Sequence, residues 1–132
     1  MKIGAVAVPL KSLLAPKDYE YLLNDSRARV LVVHDSLLGQ IAPIRANLRY
    51  VRHIITTGAG SPTELSLDAL MQRASAELTA ADTSKDDAAF WLYSSGTTGS
   101  PKGAIHLHHD MIVEAEQYAR ATIGLEESDV SF

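Results

Sequence analysis

The sequence has no cysteine among its 132 residues, which excludes disulfides and any thiolate metal or catalytic site. It also lacks a long apolar run. The longest strongly apolar stretch, Ile3 to Leu10, falls far short of the roughly 20 residues that a spanning helix needs. Following Met1-Lys2, that stretch mimics a signal peptide. However, Pro9 and Lys11 come quickly, and no small-residue cleavage site closes it. Basic residues are in deficit, 12 Lys and Arg against 16 Asp and Glu. They are dispersed, so no basic patch marks a nucleic-acid surface. Internal repeats and low-complexity tracts are missing too. These absences leave a soluble, cytoplasmic protein with neither a membrane nor a nucleic acid as partner. The hydrophobic share, 46%, is ordinary for a globular chain, and the length suits one domain with a core.

The apolar pattern alternates strand and helix. Ile3 to Val8 has no period-2 polarity and is expected to be a strand covered on both faces. Pro16 opens a helix with Tyr19, Leu22 and Leu23 on one stripe, ended by Asn24-Asp25-Ser26. Arg29 to Val33 and His53 to Thr56 read as further buried strands. Between them, Leu37, Leu38, Ile41, Ile44 and Leu48 fall at helical spacing, with Pro43 expected to kink or split the helix. Ser66 caps a helix whose face is Leu67, Leu70, Met71, Ala74 and Leu78, expected to be core. Thr79 to Asp87 is a polar connector. Ala88 to Tyr93 and Ala104 to Leu107 are strands, and Asp110 to about Thr122 is a helix that stops at Gly124. The fold class is α/β, a partial doubly wound and mostly parallel sheet with right-handed crossovers.

The stretch Tyr93-Ser94-Ser95-Gly96-Thr97-Thr98-Gly99-Ser100-Pro101-Lys102-Gly103 carries the chemistry. Glycines let backbone N–H groups approach a ligand that a Cβ would block, and successive N–H groups form anion-binding concavities. Ser and Thr hydroxyls donate to phosphate oxygens, and Lys102 adds a mobile point charge. The composition suits a polyphosphate. It does not match Walker A, which needs Gly-Lys-Ser/Thr running into a helix. Here Pro101 precedes Lys102, Gly103 follows it, and a strand comes next. The bland alternative is a polar surface turn, which has no need of this order of residues.

With every fixed position of its [YF]-[ST]-S-G-[ST]-T-G-x-P-K-G pattern filled, this loop resembles the signature of the adenylate-forming, AMP-binding superfamily. Phe90-Trp91-Leu92, Ala104-Ile105-His106-Leu107-His108, Gly4 to Leu10 and Asp25 to Val33 resemble its benzoate or aryl-CoA ligase branch. The resemblance runs along nearly the whole chain. It implies ATP-dependent activation of a carboxylic acid, benzoate or a related aryl acid. The carboxylate attacks the α-phosphate, giving an acyl adenylate and pyrophosphate, and the thiolate of coenzyme A then displaces AMP. ATP with Mg²⁺, the acid and coenzyme A are the implied small-molecule partners. Ser94, Ser95, Thr97, Thr98 and Lys102 are the implied phosphate contacts, with Gly96, Gly99 and Gly103 as backbone enablers.

Members of that superfamily are several times longer. The resemblance therefore implies that residues 1–132 are an incomplete N-terminal domain, with the C-terminal domain and its catalytic lysine absent. No catalytic residue is assigned within the chain, and the isolated chain is expected to be inactive. A non-catalytic remnant and a stand-alone weak phosphate- or nucleotide-binding module remain as alternatives. A sheet cut within its domain is also expected to self-associate through open edges.

His106, His108, His109 and Asp110 form the other cluster. His106 and His108, two apart on a strand, are expected to face one side. No third or fourth metal ligand is evident elsewhere, so no metal site is assigned. By resemblance, His108 matches a histidine near the acyl group and adenylate, although the Thr and Asn that accompany it in the superfamily are replaced here by Leu107 and Asp110. His109 reads as a solvated residue at a helix start. The paired carboxylates Asp86-Asp87, Glu114 with Glu116, and Glu126-Glu127 read as solvated faces.

Overall fold

A computed structural model describes residues 1–95 and 99–130. The chain divides into two compact units, residues 10–78 and residues 1–9 with 79–132.

The unit of residues 10–78 is built on a three-stranded parallel sheet. Helix α1 spans Pro16–Asp25. Pro16 occupies its first turn, where a missing N–H costs nothing, and Tyr19, Leu22 and Leu23 are buried. Strand β1 (Val30–His34) follows, then a 3₁₀ turn at Asp35–Leu37, a one-turn helix α2 (Leu38–Ile41) and a second 3₁₀ stretch, Ala42–Asn47. The helix expected over this region is therefore broken. Pro43 lacks the N–H that an α-turn requires, and the chain tightens around it. Strand β2 (His53–Thr57) pairs with β1 in parallel register, Val30 opposite His53 through His34 opposite Thr57. A two-residue strand β3 (Leu65–Ser66) adds to β2, where Thr56 donates its hydroxyl hydrogen to the Leu65 carbonyl at 3.2 Å.

The core of this unit is Tyr19, Leu23, Val33, Ile41, Ile44 and Ile54. Full burial of such side chains contributes about 1.5–3 kcal/mol each. Tyr19 is buried without strain because its hydroxyl donates to the Lys11 carbonyl at 2.9 Å. Strand β1 is not buried along its length, since Val30 and Val32 are exposed. Helix α3 (Leu67–Arg73) starts at Ser66, whose Oγ accepts from the Ala69 N–H at 3.3 Å. The expected core stripe on α3 is corrected here. The helix stops before Ala74 and buries no residue, and Leu70, Met71 and Leu78 are exposed.

The second unit centres on an antiparallel hairpin, β4 (Ala88–Ser94) and β5 (Lys102–Leu107), bulged between Ala88 and Phe90. The run from Ile3 does not make the doubly covered strand expected of it. Only Ala7 bridges β4, through Ala7 N–H to the Ala89 carbonyl at 3.2 Å and Trp91 N–H to the Ala7 carbonyl at 2.8 Å, while Ile3 and Val6 are exposed. Apolar composition alone leaves such a run free to pair or not, and here it gains one bridge.

Helix α4 (Asp110–Val113) passes into π-helical turns at Glu114–Ile123. The widening shows in Thr122, whose hydroxyl donates to the Gln117 carbonyl at 2.8 Å. Gly124, with φ of 78°, closes the helix. Met111, Ile112, Val113, Tyr118 and Ile123 are exposed along it. Among the described residues no helix is long and apolar enough to cross a membrane.

Candidate functional site

Strand β4 carries the chain to the loop through Tyr93 and Ser94, and β5 carries it away from Lys102. The ladder pairs Ser94 with Lys102, Tyr93 with Gly103 and Leu92 with Ala104. Side chains alternate along a strand, so Ser94 and Lys102 project from one face and Tyr93 from the other. A hydroxyl and an ammonium thus stand together at the mouth of the loop, one from each strand. Lys102 is exposed and makes no ion pair among the described residues. Its charge is therefore available to an anion. Ser95 and Gly99 are exposed as well. Gly96, Thr97 and Thr98 lie outside the described residues.

The two described loop glycines meet different demands. Gly99 has φ of 120°, a conformation that L side chains rarely adopt. Gly103 belongs to β5 and has no positive φ. A Cβ there would sit 3.3 Å from Tyr93 Cζ and 3.4 Å from Trp91 Cε3. Besides its expected part as a backbone enabler, Gly103 meets a close-approach requirement one rung from the loop mouth. Trp91 Nε1 is buried and has no hydrogen-bond partner among the described residues.

The histidine cluster is arranged differently from expectation. His106 lies on β5, but the strand ends at Leu107, so His108 is in the following turn and the two do not share a strand face. The Leu107 N–H donates to Asp110 Oδ2 at 2.8 Å, closing that turn. His106 stacks on Phe90. His108 is half-buried and is fixed through its backbone, its N–H donating to the Asp87 carbonyl at 3.1 Å.

His109 is not merely solvated. Its N–H donates to the Lys85 carbonyl at 3.0 Å. Its Nδ1 lies 3.2 Å from Asp86 Oδ1, and its Nε2 lies 3.1 Å from Asp110 Oδ1. It ties the connector before β4 to the start of α4. The helix starts at Asp110 as expected, but the contact of its carboxylate with the Leu107 N–H, three residues back, was not foreseen. Among the described residues no group of three or more His, Asp or Glu is placed to hold a metal ion.

A cavity of about 400 Å³ lies in the other unit, lined by Arg45, Arg52, His53 and Glu64 among others. No described loop residue lines it. Arg45 and Glu64 form a two-pronged ion pair at its edge. The Glu64 side chain is 5% exposed and that of Arg45 55%. The hydrogen bond to Glu64, and then its charge, hold the Arg45 guanidinium above its usual pKa.

The family model described as AMP-binding enzyme matches residues 1–132. The benzoate–CoA ligase of Thauera aromatica is 46% identical over 132 residues, all of this chain and 25% of that protein. The 4-hydroxybenzoate–CoA/benzoate–CoA ligase of Rhodopseudomonas palustris is 40% identical over 132 residues, all of this chain and 24% of that protein. The chain thus spans about a quarter of the length of these relatives. The solved anthranilate CoA ligase AuaEII, in complex with anthranoyl-AMP, superposes with a TM-score of 0.92 at 43% identity, over 97% of this chain and 25% of that one. A benzoate CoA ligase from Burkholderia xenovorans LB400 gives a TM-score of 0.78 at 32% identity, over 94% of this chain and 23% of that one. Matched from end to end by that family model, and sharing its fold with solved CoA ligases, the chain belongs to the AMP-binding enzyme family.

Proposed function

We propose that this chain carries the triphosphate-holding part of an ATP-dependent ligase that activates an aryl carboxylic acid, benzoate or a relative, and passes it to coenzyme A. The observation that carries the reading is the Ser94–Lys102 rung. It sets a hydroxyl and a cation without an ion-pair partner among the described residues side by side at the mouth of a loop rich in hydroxyls and glycine. No carboxylate belongs to residues 93–103, so nothing in the loop repels phosphate. The relatives' printed names, benzoate and hydroxybenzoate CoA ligases, supply the substrate class.

In this reading a carboxylate oxygen attacks the α-phosphorus of ATP. The bond from that phosphorus to the bridging oxygen breaks, and pyrophosphate leaves with both bonding electrons. Ser94, Ser95, Thr97, Thr98 and Lys102 hold the β- and γ-phosphates as charge builds on the departing group. Donors fixed before the reaction are the effective kind, because they need no reorganisation when charge develops. Mg²⁺ would reach the site with the nucleotide and would offset the charge of the phosphates, since the loop itself offers it no carboxylate. The thiolate of coenzyme A then attacks the acyl carbon and AMP departs. His108, in the turn after β5, is assigned to the neighbourhood of the acyl adenylate by resemblance alone. The chain by itself supplies phosphate contacts and does not complete the reaction.

The test is a titration of the chain with inorganic triphosphate, followed by NMR. Shifts centred on the amides of Ser94, Ser95, Gly99, Lys102 and Gly103 are expected. Shifts centred elsewhere, or none up to tens of millimolar, where binding free energy falls below about 3 kcal/mol, would overturn it.

A further inference from the structure

We infer that the rings of Tyr93 and Trp91, closed over the bare backbone of Gly103, form a clasp that sets where the two ends of the loop stand. Tyr93 and Gly103 are then positioning residues of the site. The functional meaning of the clasp rests on the phosphate reading above, but its geometry does not.

Gly103 lies directly opposite Tyr93 in the ladder, and Trp91 is two residues back on the same strand face as Tyr93. A Cβ on Gly103 would meet Tyr93 Cζ at 3.3 Å, Tyr93 Cε1 at 3.4 Å and Trp91 Cε3 at 3.4 Å. The missing side chain therefore makes the seat in which both rings lie. An aromatic ring laid across a facing glycine restores the cross-strand contact that the glycine forgoes. The indole N–H, shielded from solvent without a partner among the described residues, indicates that packing rather than a hydrogen bond holds Trp91.

The clasp sits one rung from the loop. Tyr93 is bonded to Ser94, and Gly103 to Lys102, the last pair before the loop opens. The rings occupy one face of the hairpin, while Ser94 and Lys102 project from the other. Any side chain at 103 must push the rings aside by a few tenths of an ångström, or twist the rung itself. A twist there moves the Lys102 ammonium relative to the Ser94 hydroxyl. Misplacements of this size are costly where several groups must meet one ligand together.

The test compares the parent chain with Gly103→Ala, Gly103→Val and the double variant Tyr93→Leu/Gly103→Val. Two readouts are taken: ligand-free amide shifts of Ser94, Ser95, Gly99 and Lys102, and affinity for inorganic triphosphate. Gly103→Val should move those amides and weaken binding by about tenfold or more, with Gly103→Ala intermediate. Shrinking the facing ring to leucine makes room for the valine, so the double variant should recover most of both. Unmoved amides in Gly103→Val, or a double variant no better than the single one, would overturn the clasp. If Lys102→Ala binds triphosphate as tightly as the parent, the phosphate reading falls while the amide comparison still decides the clasp. Should Gly103→Val fail to fold, Gly103→Ala with and without Tyr93→Leu makes the same comparison.

Discussion

The imidazole of His106 lies flat on the ring of Phe90, with centroids 4.6 Å apart and planes 7° from parallel. The two are cross-strand partners in the β4–β5 ladder. The stack pins the register of the hairpin from the end away from the loop. Such a pair adds about 0.5–1.5 kcal/mol beyond its buried area. Phe90→Leu keeps an apolar side chain and loses the stack. The free energy of opening at the β5 amides, read by hydrogen exchange, should fall by about 1 kcal/mol. Unchanged protection would mean that the stack does not hold the register.

Lys102→Ala removes a charged donor from the loop mouth and should cost roughly 1.5–3 kcal/mol of triphosphate affinity. From a starting affinity near millimolar, worth about 4 kcal/mol, binding would drop out of detection. ATP and inorganic triphosphate should bind the chain about equally, because base and ribose contacts are not expected from the loop. Calorimetric titration of both ligands checks this. A strong preference for ATP would place the binding determinants outside the loop.

Purified chain given ATP, benzoate and coenzyme A should release no AMP above a boiled control. Turnover that disappears in Lys102→Ala would contradict the proposal that the chain does not complete the reaction alone.

The Arg45–Glu64 pair should be asymmetric under mutation. Arg45→Met leaves the Glu64 carboxylate, 5% exposed, without its cation, a loss of about 1–3 kcal/mol. Glu64→Gln leaves a guanidinium that is 55% exposed and can rehydrate, so the cost should stay below about 1 kcal/mol. Urea unfolding of the two variants gives the comparison. Equal costs would mean that burial of the carboxylate does not govern the pair.

The exposed apolar side chains of α4 and its π-helical continuation, Met111, Ile112, Val113, Tyr118 and Ile123, should make the chain self-associate or melt early. Sedimentation over a range of concentrations and a thermal scan test this together. A monomer melting cooperatively above about 60 °C, beyond most mesophilic domains, would count against it.

The sequence made local features legible wherever local chemistry decides them. Pro16, Pro43, Ser66 and Gly124 each act where their side chains or missing groups dictate. The parallel β1–β2 pair followed from two β-branched runs separated by a helical pattern. The burial failures share one cause. Leu70, Met71, Ile3 and Val6 are apolar, yet periodicity says only that a face could be buried, not that a partner covers it. The strand before the histidines was foreseen, but its antiparallel direction was not, since direction depends on the loop. The loop's chemistry was plain from its residue types. The seat at Gly103 was not, because a glycine in a string of letters does not disclose which rings lie above it.

The hairpin has a kinetic consequence. Ser94 and Lys102 meet across a short loop, whereas the bridge from Ala7 to Phe90 joins distant parts of the chain. Hairpins form in roughly 1–10 μs, and contacts remote in sequence come later because they must first overcome chain-closure entropy. The groups assigned to phosphate should therefore be gathered before either unit has finished folding. A complete chain refolding from denaturant would then present its anion cradle early, before the bridge from Ala7 closes.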